Sequence, residues 1–153
     1  MYFTLTKAMG VQDFFTREQM EVIKASITKA EEHNTGEIRL HVEGNCEGDA
    51  LERAVKVFHR LHMTKTKHRN AVLFYLAINH QKLAVVGDEG IHKKVSEEFW
   101  HKVKDHIIAK FKQNNYVDGL SEGIDMTGDM LRKYFPNKGE NLNQLSDDIS
   151  FGN

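Results

Sequence analysis

The spacing of apolar residues predicts a chain in which helices and strands alternate. A capping-box pattern from Thr16 to Gln19 precedes a stripe at helical spacing, and the run Asn34-Thr35-Gly36 favours the end of that helix. The stripe consists of Met20, Ile23, Ile27 and Ala30. Residues 38–43 then alternate between apolar and polar, which is typical of a strand with one buried face.

The middle of the chain predicts a second helix and a hairpin. Asp49 with Glu52 has the pattern of a helix cap. The buried face of that helix is expected to consist of Ala54, Val55, Phe58 and Leu61. Residues 71–78 are almost continuously apolar, as in a central strand covered on both faces. Residues 82–86 follow a short polar turn and predict a second strand that pairs with the first as a hairpin.

The second half of the chain is predicted to be helical. Apolar residues recur every four positions from Ile91 to Phe111, and a last helix runs from Tyr116 until Pro136 stops it. The element order implies one α/β domain over residues 1–153, with a small mixed sheet between helices. An arm at 1–15 and a tail at 137–153, with anchors such as Ile149, are expected to pack on it.

Composition excludes several classes of protein. The 21 Lys and Arg residues balance 22 Asp and Glu residues, so there is no global basic field for a nucleic acid. Cys46 is the only cysteine, which excludes an intrachain disulfide and fits a reducing compartment. The sequence shows neither a signal-peptide pattern nor an apolar run long enough for a membrane span, so we expect a soluble, cytoplasmic protein.

Three catalytic motifs fail on their context. The G-x-S-x-G match at residues 119–123 has no strand before it and no histidine after it, so Ser121 is expected in a helix. Six residues separate Cys46 from Arg53, one more than a cysteine-phosphatase loop uses, and a half-exposed loop thiol is the alternative. His59 and His62 could share a helix face, but no H-E-x-x-H or C-x-x-C partner set supports zinc.

Carboxylates in loops are the remaining chemistry. Asp88 and Glu89 lie between two glycines directly after the second hairpin strand, and Glu37 opens the first strand. If that first strand runs parallel to residues 71–78, Glu37 and Asp88 lie at the same end of the sheet. Hard cations such as Ca²⁺ prefer several oxygen ligands, which carboxylates and backbone carbonyls in short turns can supply.

The tail offers further oxygen donors. Asn143, Asp147 and Asp148 would complete a coordination shell if the tail folds back over the Asp88 loop. A weaker acidic cluster, expected at the other end of the sheet, consists of Glu43, Glu47 and Asp49. Plain solubility is the alternative for both clusters, because exposed loops are usually polar and no EF-hand spacing is present.

Several segments together resemble the TPM-domain family, whose members include thylakoid-lumen photosystem II repair proteins. The matching segments are residues 35–43, 69–77, 83–91, 98–100, 116–124 and 143–150. The resemblance spans about residues 14 to 150, and it implies an αβα sandwich around about four strands. Many relatives carry a signal peptide and a membrane segment, whereas this chain looks like a stand-alone domain.

The resemblance also raises the expectation of metal binding near Asp88. It implies a module that binds Ca²⁺, or Mg²⁺ or another divalent ion, and acts in regulation or in binding an unidentified protein partner. The predicted ligands are Glu37, Asp88, Glu89, Asn143, Asp147 and Asp148. The alternative function is a weak metal-assisted acid phosphatase, in which His92 could help with proton transfer. We expect no efficient enzyme.

Overall fold

The structure, a computed structural model, describes residues 11–139 and 149–152. A four-stranded mixed sheet has the order β3-β2-β1-β4, which confirms the expected α/β class. The strands are β1 (Glu37–Glu43), β2 (Ala71–Ala77), β3 (Lys82–Gly87) and β4 (Ser150–Phe151). The helices are α1 (Arg17–Ala30), α2 (Ala50–Arg60), α3 (Glu89–His92), α4 (Glu97–Phe111) and α5 (Tyr116–Tyr134).

The pairing of the strands decides which loops meet. β1 runs parallel to β2, with Glu37 opposite Ala71, and β3 returns antiparallel to β2 as the predicted hairpin. β4 pairs in parallel with β1 at the other edge of the sheet, with Ser150 opposite His41. The hydrophobic pattern of the tail did not predict β4, because a two-residue strand leaves no periodicity to detect.

Helices cover both faces of the sheet, which gives the expected αβα arrangement. α1, α4 and α5 cover the face that carries Ile38, Leu40 and Val42, and α1 and α4 both pack against α5. α2 covers the other face over β2 and β3. The expectation that only one face of β1 is buried is wrong, because His41 and Glu43 are 4% and 2% exposed. Hydrogen bonds among the polar side chains of this face make that burial tolerable.

Two helical expectations change in detail. The stripe from Ile91 to Phe111 is divided between α3 and α4, because the extended backbone of Ser96 starts a new helix. Val55 is exposed rather than buried, and Val57 takes its place beside Phe58 under α2. The predicted capping box at Thr16 and the cap at Asp49 are both confirmed.

The two ends of the described chain dock on the core. Phe15 is buried and Phe14 packs beside it, whereas the more N-terminal part of the predicted arm lies outside the described residues. Ile149 is buried in the main core, as expected for an anchor of the tail. Within the two described ranges, no helix is long and apolar enough to cross a membrane.

Candidate functional site

Three strand ends converge where β1 begins. Glu37 pairs with Ala71, and the backbone N–H of Asp88 donates to the carbonyl oxygen of Ala71 over 3.0 Å. Glu37 and Asp88 therefore flank the same residue of β2, at the same end of the sheet, as expected if β1 runs parallel to β2. Both are buried, at 3% and 6% exposure.

Arg69 neutralises the predicted acidic turn. Its Nε and Nη2 atoms donate to Oδ2 and Oδ1 of Asp88 over 2.7 and 2.9 Å, and Nη1 donates to Oε1 of Glu89 over 3.2 Å. Arg69 has a φ of 51°, in the left-handed region that is unfavourable for residues other than glycine. The two-pronged pairing with Asp88 is a contact that fixes this conformation.

The loop before β2 and the turn after β3 are joined at Gly90. The Gly90 N–H donates to the carbonyl oxygen of Arg69 over 2.9 Å. A Cβ at position 90 would lie 2.3 and 2.5 Å from the carbonyl oxygens of His68 and Arg69, so only glycine fits. The loop that enters β2 and the turn that leaves β3 therefore form one rigid crossing beside Glu37.

Asn70 adds a buried oxygen that the sequence reasoning missed. Its side chain is fully buried, and Nδ2 donates to Oγ1 of Thr35 over 3.0 Å. Its Oδ1 has no hydrogen-bond partner among the described residues. A buried acceptor without a donor costs about 1–3 kcal/mol. The polar pair Arg69-Asn70 before an apolar strand was the available signal, but it does not by itself indicate which oxygen stays free.

The predicted ligands are only partly brought together. Asn143, Asp147 and Asp148 lie outside the described residues. Within residues 11–139 and 149–152, no three His, Cys, Asp or Glu side chains are grouped so that they alone could hold a metal ion. Since β4 runs parallel to β1, the chain enters β4 from the side on which β1 begins. An ion at this end would need amide, backbone or water oxygens in addition to the carboxylates.

The weaker acidic cluster lies at the opposite end of the sheet. Glu43, Glu47 and Asp49 line a cleft of about 550 Å³ together with basic residues of α2. Glu43 is already engaged, because Nε and Nη2 of Arg53 donate to it over 2.7 and 2.9 Å and the hydroxyl of Tyr75 donates to Oε2. Asp49 caps α2 by accepting from the N–H of Glu52.

The environment of Glu43 keeps it ionised. Burial works to raise the pKa of this carboxyl, but the hydrogen bonds from Arg53, Tyr75 and His41 outweigh burial and lower the pKa to about 2. The pKa of His41 is lowered, first by burial, although Glu43 opposes that effect. Burial and the bond to Glu43 raise the pKa of Tyr75.

The rejected catalytic motifs stay rejected in three dimensions. Cys46 is buried rather than half-exposed, and the nearby Arg53 is held by Glu43 instead of being free for a phosphate. Ser121 lies inside α5, with a buried hydroxyl that has no partner among the described residues. α2 ends at Arg60, so His59 and His62 do not share a helix; both are exposed, and so is His92.

Comparisons with known proteins agree with this architecture. The family model described as the TPM domain matches residues 11–130. The NMR structure of BA42, from the psychrophilic bacterium Bizionia argentinensis, has 39% identity and a TM-score of 0.87, and the match covers 97% of this chain and 100% of BA42.

Two more distant structures share the fold. The N-terminal domain of a P. gingivalis protein has 17% identity and a TM-score of 0.66, with 80% of each chain covered. The N-terminal domain of the cg2496 protein from Corynebacterium glutamicum has 10% identity and a TM-score of 0.62, with 95% of each chain covered. No curated protein matches. On the family match over residues 11–130 and the similarity to BA42, this chain belongs to the TPM-domain family.

Proposed function

We propose that this chain is a divalent-cation-binding module of the calcium type, acting in regulation or protein interaction, with the ion at the end of the sheet where β1 begins. The observation that carries the proposal is the fully buried Oδ1 of Asn70, which has no hydrogen-bond partner among the described residues. It lies in the chain between Arg69, which holds Asp88, and Ala71, which pairs with Glu37.

The donor chemistry suits a hard cation. Carboxylate oxygens of Glu37 and Asp88 and the amide oxygen of Asn70 are ligands that Ca²⁺ and Mg²⁺ accept in proteins. A cation at Oδ1 of Asn70 would remove the cost of leaving a buried acceptor without a donor. Asn143, Asp147 and Asp148 remain predicted ligands from outside the described residues, and Glu89 remains a predicted ligand at the rim.

Binding of the ion would stabilise the two loops that meet at Gly90. The ion would lie beside the crossing that Gly90 forms with the carbonyl oxygen of Arg69, so its occupancy would stabilise two loops at once. A ligand that binds only the folded state stabilises it by about 2.7 kcal/mol when its concentration is a hundred times the Kd. Such a change in loop stability is the physical basis for a regulatory role.

Isothermal titration calorimetry of chelator-treated protein with Ca²⁺, and separately with Mg²⁺, tests the proposal. We expect a saturable exothermic or endothermic transition in the wild type, and a loss of affinity of at least about tenfold, or 1.4 kcal/mol, in Asn70→Ala and in Asp88→Asn. Asp105→Asn, which changes an exposed carboxylate on α4, is the control and should bind as the wild type does. Unchanged affinity in both site variants would contradict this ligand assignment.

A further inference from the structure

A chain of hydrogen bonds joins a serine, a histidine and a glutamate at the edge of the sheet. The Oγ atom of Ser150 lies 2.7 Å from Nδ1 of His41, and Nε2 of His41 lies 3.2 Å from Oε1 of Glu43. These are the distances at which a hydroxyl nucleophile, a general base and an orienting carboxylate act together. The three residues come from β4 and β1, and none of them belongs to the cation site proposed above.

The surroundings decide where the protons lie. Glu43 is ionised at neutral pH, because its pKa falls to about 2. It therefore accepts a hydrogen bond, which assigns the ring proton of neutral His41 to Nε2. Nδ1 is then a free acceptor that faces the hydroxyl of Ser150, and the lowered pKa of His41 favours this neutral form.

The residues around His41 and Glu43 hold this histidine in a fixed orientation. Arg53 and Tyr75 fix the carboxylate of Glu43, and the backbone of Gly152 packs directly over the histidine–glutamate contact. A Cβ at Gly152 would lie 2.6 Å from Oε1 of Glu43 and 3.0 Å from Nε2 of His41, so a larger residue would displace the pair. A serine hydroxyl reacts faster than that of an ordinary serine when its base is held in a fixed geometry of this kind.

The hydrogen-bonded chain of Ser150, His41 and Glu43 is called the relay below. Two features next to it have no role in the fold so far described. Arg39 precedes His41 by two residues on the same face of β1, and its buried Nε has no hydrogen-bond partner among the described residues. Glu43 also lines the cleft of about 550 Å³ between β1 and α2, so open space borders the glutamate end of the hydrogen-bond chain. The Nε–H of Arg39 is a donor that could stabilise a negative charge that develops at this edge of the sheet.

We propose that Ser150, His41 and Glu43 form a nucleophilic site that hydrolyses carboxylic esters, with Arg39 as the oxyanion donor. The oxygen of Ser150 bonds to the acyl carbon while its proton passes to Nδ1 of His41. The tetrahedral species then collapses, the carbon–oxygen bond to the alcohol breaks, and His41 returns the proton to that alcohol. Water, deprotonated by His41, attacks the acyl-serine in the same way and releases the acid.

Covalent labelling of the folded protein tests the proposal without knowledge of the natural ester. The wild type is treated with a fluorophosphonate probe, which loses fluoride as its phosphorus bonds to a nucleophilic serine, and the adduct is located by peptide mass spectrometry. We expect the adduct on Ser150, its loss in Ser150→Ala, and a decrease in labelling rate of about a hundredfold in His41→Gln. Ser96→Ala, which changes a serine with no histidine partner among the described residues, should label as the wild type does.

The wild-type map alone can overturn the proposal, even if His41→Gln fails to fold. Absence of an adduct on Ser150, with the melting temperature of the protein unchanged by the probe, means that the relay only fastens β4 to β1. Equal labelling of folded His41→Gln and wild type likewise contradicts a base role for His41. Hydrolysis of p-nitrophenyl acetate that is lost in Ser150→Ala but kept in Ser96→Ala would support turnover beyond acylation.

Discussion

Arg69 donates two hydrogen bonds to the carboxylate of Asp88, of 2.7 Å from Nε and 2.9 Å from Nη2. The acidic turn that sequence reasoning singled out as a cation site is therefore neutralised by a cation of the protein itself. A bound metal ion would share or replace this guanidinium, because both are attracted to the same carboxylate. The pair would thus limit how tightly the proposed site could hold a divalent ion.

Removing that guanidinium should strengthen metal binding. In Arg69→Ala, Asp88 and Glu89 lose their internal counter-charge, and we expect Ca²⁺ affinity to rise by about threefold to tenfold, or about 0.7–1.4 kcal/mol. Calorimetric titration measures the change. Lys102→Ala, which breaks the exposed pair with Glu98, is the control and should leave the affinity unaltered. Weaker binding in Arg69→Ala would show instead that Arg69 orients the ligands.

The crossing of loops at Gly90 should tolerate no side chain. Gly90→Ala forces a methyl group against the carbonyl oxygens of His68 and Arg69, and we expect a loss of about 1–3 kcal/mol in the free energy of unfolding. Gly48→Ala is the matched control, since nothing lies within 4 Å of a Cβ at that position, and its effect should stay within about 0.5 kcal/mol. Urea unfolding measures the free energy of unfolding of both variants. Equal values for Gly90→Ala and Gly48→Ala would mean that the loops at Gly90 move apart at little cost.

The buried Glu43 should make the free energy of unfolding depend on pH in the acid range. Its pKa is about 2 in the folded protein against an ordinary value of 4.5, so its contribution is present above pH 4.5 and disappears as the pH falls towards 2. Glu43→Gln leaves the partly exposed Arg53 without its counter-charge, and we expect a loss of about 1–3 kcal/mol at pH 7.

The difference between wild type and Glu43→Gln is the informative quantity in that experiment. It should be largest at pH 5 to 7 and shrink in urea unfolding measured at successively lower pH, because only the wild type carries the titrating carboxylate. A difference that is constant from pH 7 to pH 3 would show that the charge of Glu43 does not stabilise the fold.

Sequence reasoning succeeded where local pattern decides the outcome. Periodicity predicted β1, β2 and β3, and Glu37 and Asp88 were expected at one end of the sheet on the condition that β1 runs parallel to β2, which it does. The same reasoning missed the partner of Asp88, because an arginine nineteen positions away is brought there only by the hairpin return of β3.

The relay at the other edge of the sheet could not be predicted from the sequence either. His41 was read as a solvent-facing position of β1, yet it is buried. Its contact with Ser150 spans 109 positions and depends on β4, whose two residues carry no hydrophobic period. Long-range pairing of a short strand is a tertiary property that propensity and spacing do not encode.

Thermal unfolding is the measurement that best tests whether this TPM domain binds a divalent ion at the Glu37 end of its sheet. Chelator-treated protein is titrated with Ca²⁺ and with Mg²⁺, beside Glu37→Gln and the Asp105→Asn control. We expect a saturable rise in melting temperature in the wild type and the control, reaching about 2.7 kcal/mol of stabilisation at a hundred times the Kd, and a much smaller rise in Glu37→Gln. A melting temperature that does not respond to either ion in the wild type would contradict binding at this site.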